Sequence, residues 1–98
     1  MPRASNKGLR PLVTLGLALR EARRAAGVTQ AELAERCDLN VNYVSLLERG
    51  ERNPTASTLF AIAAALAVPP HEFFREIGPL DLKAIIRSRS RRGRRAAR

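Results

Sequence analysis

Residues 29 to 50 read TQAELAERCDLNVNYVSLLERG, a stretch that specifies two short helices joined by a tight turn. Thr29 and Glu32 stand at the spacing of a T-x-x-E capping box. In that arrangement the threonine oxygen accepts the backbone N–H of Glu32 and the glutamate accepts that of Thr29. Thr29 is therefore the expected N-cap of the first helix. Leu33, Ala34 and Cys37 give it a small apolar face, and Asp38, Leu39 and Asn40 interrupt it with residues that favour turns and caps. Asn40 caps a second helix expected to run to Arg49, with Gly50 as the left-handed residue just past its end. Helices this short do not stand alone in water, so the rest of the chain must hold both.

At about 100° per residue, Val44, Leu47 and the methylenes of Glu48 fall on one side of the second helix. Asn42, Ser45, Leu46 and Arg49 fall on the other. The first set must face a core. The second mixes an amide, a hydroxyl, a branched apolar group and a guanidinium, a combination suited to base edges and phosphates.

The runs T-Q-x-x-L-A, N-x-x-Y-V-S and L-E-R-G-E-R-N-P, quoted in their order in the chain, resemble the lambda-repressor-like helix-turn-helix domains of the XRE family. The resemblance spans about Leu15 to Phe74, and spacing, caps and terminal glycine agree throughout. It implies an all-α fold, a compact five-helix DNA-binding domain with the helix-turn-helix at helices 2 and 3.

Composition sets bounds on this reading. The 98 residues make one domain, 45% hydrophobic and only 4% aromatic, so the core is expected to be aliphatic. A folded unit of this size gains from pairing, which makes self-association a reasonable expectation. The net charge is +9, and its placement matters more than its size. Residues 1 to 13 carry Arg3, Lys7 and Arg10 with no acid. Residues 14 to 75 carry seven arginines against seven acids, and residues 76 to 98 carry eight basic residues against Glu76 and Asp81. The excess thus sits at the two ends, and the middle of the chain is formally neutral.

One cysteine and one histidine allow no intrachain disulfide and no structural zinc site. No metal or cofactor is expected, and a reducing cytoplasm suits the free Cys37. Its expected role is that of a small core residue rather than a redox sensor, because Asp38 beside it does not lower its pKa. His71 is expected at the surface. The apolar run Leu12 to Leu19 after Arg3, Lys7 and Arg10 superficially resembles a signal peptide. It leads directly into Arg20, Glu21, Arg23 and Arg24 with helical periodicity, so it is read as part of the first helix. No run approaches membrane-spanning length.

Caps and breakers organise the remainder. Residues 1 to 10 read as a flexible basic arm and residues 11 to 77 as the helix-turn-helix domain. Leu15, Leu19, Ala22 and Ala26 recur at helical spacing until Gly27 stops the first helix, after which Val28 packs against the entry to the next. Thr55 caps a fourth helix with the stripe Leu59, Ile62, Ala63 and Leu66. Pro69 and Pro70 restart the chain into a short fifth helix whose apolar face is Phe73, Phe74 and Ile77, ended by Gly78 and Pro79. Residues 78 to 86 form a short extension in which Leu82, Ile85 and Ile86 can line one side of a helix started by Asp81. Residues 87 to 98 hold seven arginines in twelve positions, Arg87, Arg89, Arg91, Arg92, Arg94, Arg95 and Arg98. They read as a disordered tail for nonspecific electrostatic contact.

Asn42 is the expected base reader, since a carboxamide on the first turn of a reading helix can make a bidentate contact to adenine. Val41 and Leu46 depart from the long polar side chains of the resembling family. They can touch thymine methyls, or Leu46 can pack on a partner protein. Ser45 can meet a base or a phosphate. In the resembling family the position of Gln30 touches phosphate, as do residues at the end of the reading helix and in the loop after it. Thr29, Gln30, Arg49, Arg52 and Asn53 are accordingly assigned to the DNA backbone. Tyr43 is assigned there too, or to covering the domain edge. Glu48 faces inward and needs a partner. Arg23 is the candidate, and the resembling family often pairs these two positions.

No nucleophile with a positioned base, Gly-rich phosphate loop or carboxylate pair points to catalysis. The expectation is a double-stranded DNA-binding transcriptional regulator, a repressor acting as a homodimer on a palindromic operator, with the 74 to 86 segment near the interface or open to a protein partner. The alternatives are an antitoxin-like interaction module and a mainly nonspecific nucleic-acid binder driven by the arginine tail.

Overall fold

The computed structural model describes residues 10–79, 82–83 and 85–89. Four α-helices form the body: α1 (Arg10–Ala25), α2 (Gln30–Cys37), α3 (Val41–Glu48) and α4 (Ala56–Leu66). A short 3-10 helix, Pro70–Phe74, follows as the fifth. There is no strand among the described residues, and the expected all-α, five-helix architecture is the one observed.

α1 starts earlier than expected. Arg10 belongs to it rather than to a flexible arm, because Pro11 in the first turn lacks only an N–H that would find no helical acceptor there. α2 begins with the full capping box, Glu32 N–H to Thr29 Oγ1 at 3.0 Å and Thr29 N–H to Glu32 Oε1 at 2.9 Å. Asn40 caps α3 through its Oδ1, 2.7 Å from the Asn42 nitrogen. Thr55 caps α4 through Oγ1, 3.2 Å from the Thr58 nitrogen.

All four α-helices stop by the same device, a left-handed residue followed by a backward bond spanning five residues. Gly27 (φ 72), Asp38 (φ 56), Gly50 (φ 74) and Ala67 (φ 58) supply the left-handed turn. The bonds are Val28 N–H to Arg23 O at 3.2 Å, Leu39 N–H to Ala34 O at 2.8 Å, Glu51 N–H to Leu46 O at 2.9 Å and Val68 N–H to Ala63 O at 3.0 Å. Arg49 is therefore the capping residue of α3 rather than its last turn.

α1 lies against α3 and the fifth helix, while α2 lies against α3 and α4, so α3 is held between two walls. Leu15, Leu19, Val28, Leu33, Val44, Leu47, Leu59, Ile62, Leu66 and Phe73 are all buried in one aliphatic core. Gly16 and Gly50 permit the close crossing of α1 and α3. A Cβ on Gly16 would lie 2.5 Å from the Glu48 carbonyl oxygen, and one on Gly50 would lie 2.7 Å from the Val13 Cα.

Three expectations need correction. Of the two phenylalanines assigned to the fifth helix, Phe73 is 1% exposed and Phe74 is 45% exposed. In a five-residue 3-10 helix adjacent residues point about 120° apart, so only one of them can face the core. Ile77 packs on the core edge. Helical backbone begins again at Pro79, ahead of Asp81, which lies outside the described residues. The described residues 82–83 and 85–89 are helical, so the boundary expected at 86 falls inside helical backbone. Ile85 is half-buried there, and Leu82 and Ile86 are exposed. Residues 1 to 9 of the arm, and Arg91, Arg92, Arg94, Arg95 and Arg98 of the tail, lie outside the described residues.

Candidate nucleic-acid interface

The division of α3 into two sides is complete at the protein surface. Val44, Leu47 and Glu48 are buried, Val41, Asn42 and Arg49 are exposed, and Ser45 and Leu46 are half-buried between them. Val41 is 46% exposed, an isopropyl group held in water at the start of a helix by its position alone.

Glu48 is the anchor of this arrangement. Its carboxylate accepts Arg23 Nε at 2.7 Å through Oε2 and Arg23 Nη2 at 3.0 Å through Oε1, the two-pronged geometry in which guanidinium and carboxylate match best. Arg23 Nη1 donates to the Val28 carbonyl at 2.9 Å. The hydrogen bonds to Glu48 hold the guanidinium pKa above its ordinary value, against the opposing effect of burial. This is the expected Arg23–Glu48 pair, and it ties the C-terminal end of α3 to α1 and to the turn before α2. No buried side-chain nitrogen or oxygen among the described residues lacks a partner, so the desolvation cost of the buried charges is met by hydrogen bonds.

Gln30 joins the same group. Its Nε2 donates to Glu48 Oε1 at 3.0 Å, a contact that reading the sequence missed. The sequence assigned Gln30 to the DNA backbone and Glu48 to the inside, and only the packing of α2 against α3 brings them together. Thr29 is exposed, with its Oγ1 engaged by the Glu32 amide.

Tyr43 and Arg52, both assigned to the DNA backbone, meet each other. The guanidinium carbon stands 5.8 Å from the ring centroid, within cation–π range. The half-buried tyrosine thereby holds the loop after α3 against the helix. Arg49 Nη1 is 3.9 Å from Glu51 Oε2, a distance too long for a hydrogen bond, on an exposed side chain. Asn53 is exposed in the same loop. The structure thus gathers Val41, Asn42, Ser45 and Leu46 on α3 and Arg49 at its C-cap, with Arg52 and Asn53 in the loop that follows.

Cys37 is half-buried and packs on the core. Burial pushes its thiol pKa up, outweighing the downward pull of Arg36, which leaves less thiolate for redox chemistry at neutral pH. Among the described residues no cluster of His, Cys, Asp and Glu is placed to hold a metal ion, and no helix is long and apolar enough to cross a membrane.

The family HTH_3, a helix-turn-helix family, matches residues 19–73, a span that contains α2, the turn and α3 entire. The chain belongs to this helix-turn-helix family. It is 50% identical over 46 residues to an uncharacterised HTH-type transcriptional regulator, y4dJ, of Sinorhizobium fredii, covering 47% of this chain and 60% of that protein. It is 38% identical over 56 residues to the immunity repressor protein of Bacillus phage phi105, covering 57% of this chain and 39% of that one. The match therefore spans less than two thirds of either relative. Among solved structures, the restriction-modification controller protein C.AhdI from Aeromonas hydrophila superposes with a TM-score of 0.63 at 41% identity. The superposition covers 64% of this chain and 96% of that one. As a helix-turn-helix protein the chain is related to a phage repressor by sequence and to restriction-modification controller proteins by sequence and fold.

Proposed function

We propose that this chain is a sequence-specific double-stranded DNA-binding transcriptional regulator, a repressor that occupies a palindromic operator as a homodimer. The observation that carries the reading is the two-sided α3. Its inner side is locked by Val44, Leu47 and the Arg23–Glu48 pair, and its outer side leaves Val41, Asn42 and Arg49 exposed with Ser45 and Leu46 half-buried. A rigid helix with an amide, a hydroxyl and small apolar groups on its open face suits the major groove, where amide pairs read adenine and apolar groups read the thymine methyl. Asn42 is the principal reader, with Val41, Ser45 and Leu46 beside it. Gln30, Arg49, Arg52 and Asn53 address phosphates on either side.

Dimerisation rests on separate support. Phe74, Leu82 and Ile86 are 45%, 51% and 67% exposed, apolar groups that a second copy would cover. Two α3 helices related by a twofold axis would enter successive major grooves about 34 Å apart. Repression needs no part beyond DNA binding, because a bound dimer occludes a promoter by its presence, and an immunity repressor is among the relatives.

Selection of bound sequences from a pool of random duplex DNA tests the proposal. The expected result is an inverted repeat with half-sites one helical turn apart. A single unsymmetrical half-site would reject the homodimer, and absence of any enrichment would reject sequence reading in favour of a nonspecific nucleic-acid binder.

A further inference from the structure

We propose that Glu48 is a positioning residue for DNA-backbone contact: by accepting one Nε2–H of Gln30, it turns that amide so that its second Nε2–H is offered to a phosphate oxygen. The inference rests on the DNA-binding reading above and assigns a second role to a carboxylate that otherwise only closes an ion pair.

Arg23 gives the carboxylate two hydrogen bonds, at 2.7 and 3.0 Å, and its Nη1 donates to the Val28 carbonyl. The ion pair is complete without Gln30. The third donor is Gln30 Nε2, 3.0 Å from Oε1, which takes up an acceptor site that the ion pair leaves open. A carboxylate only accepts, so of the two ends of a carboxamide only the NH2 end can face it. This fixes the orientation of an amide that would otherwise rotate freely in water.

Gln30 is the first residue of α2, and backbone N–H groups in a first turn have no helical acceptor. Thr29 and Glu32 close the capping box on each other, which leaves the N–H of Gln30 itself outside it. A phosphate oxygen is also acceptor-only, so it needs donors. The second Nε2–H of a glutamine whose first is held by Glu48 supplies one, with its side-chain freedom already lost on folding rather than on binding.

Binding to sheared mixed-sequence duplex DNA tests this, because phosphate contact is independent of sequence. Gln30→Ala in the native background should weaken binding about tenfold, the loss expected for a hydrogen bond to a charged group. The same change should cost less than about twofold in an Arg23→Leu/Glu48→Leu background, where apolar side chains of similar volume replace the ion pair and Gln30 loses its anchor. Equal losses in the two backgrounds, or no loss in the native one, would overturn the proposal while leaving DNA binding intact. Failure of the native chain to bind any duplex would instead overturn the DNA-binding reading, and this proposal with it.

Should the doubly substituted background not fold, the Gln30 side-chain amide of the native protein gives the answer by NMR. Two well-separated Nε2 proton resonances, slow to exchange with water and with one shifting on addition of duplex, are expected. A pair at the positions of free glutamine, exchanging as a solvated side chain does, overturns the proposal.

Discussion

At Gly16 a single methyl group has nowhere to go. It would meet the carbonyl oxygens of Glu48 at 2.5 Å and Leu47 at 2.6 Å, and both belong to backbone that cannot swing aside. Alanine is the better helix former by roughly 0.5–1 kcal/mol, but forcing extra volume into a closed contact costs about 1–3 kcal/mol, so the steric term wins. Gly16→Ala should lower the melting temperature by about 5–10 °C, as followed by circular dichroism, and an unchanged or higher value would mean that α1 and α3 are free to separate. At Asn42 the expected effect is on selectivity. Asn42→Ala should cost roughly 1–3 kcal/mol on the preferred duplex and relax the preference at one base pair. Equal affinities for wild-type and substituted chains across single-base variants of that duplex would remove Asn42 from the readers. Neither Gly16 nor the Gln30–Glu48 bond was legible in the sequence as a contact, because each depends on how closely two helices cross. Arg23 and Glu48 were legible as a pair because an inward carboxylate must find a cation, and the resembling family names the position.

Helix starts were readable, and helix stops only half so. Thr29, Asn40 and Thr55 carry their caps in side chains whose chemistry is visible in the letters, and all three are observed as caps. Thr29→Ala removes the acceptor for the Glu32 amide and disables the reciprocal half of the box. It should destabilise the chain by about 1 kcal/mol, seen as a lower midpoint in urea with an unchanged slope. An unchanged midpoint would show that packing alone holds α2. At the other ends, Gly27 and Gly50 announce the left-handed turn and Asp38 tolerates it, whereas Ala67 adopts it without the residue type that favours it. Ala67 does so because Val68 packs on the core and Pro69 and Pro70 follow, so tertiary contact and the proline pair end α4 despite a cost of roughly 1–2 kcal/mol for the left-handed alanine. The fifth element shows the same limit. Two adjacent phenylalanines look equally apolar, and only the tight 3-10 geometry decides that Phe73 goes in and Phe74 out.

For the molecule as a whole, the distribution of charge separates affinity from information. The segment from 14 to 75 is formally neutral, with seven arginines against seven acids, and one of those arginines, Arg23, is consumed by Glu48. On the proposed reading, long-range attraction to DNA comes mainly from the chain ends and discrimination from the outer side of α3. The helical backbone reaching Arg89 fixes where the two can be cut apart. Removing residues 90 to 98 deletes Arg91, Arg92, Arg94, Arg95 and Arg98 and leaves every described contact in place. The decisive measurement is selection from random duplex DNA by the whole and the shortened chain side by side, with the salt dependence of binding to the enriched sequence. Both chains should enrich the same inverted repeat, and the shortened one should bind it with a log–log salt slope reduced by about 0.9 for each phosphate the tail had neutralised. Loss of the motif together with the tail would contradict the claim that the outer side of α3 does the reading.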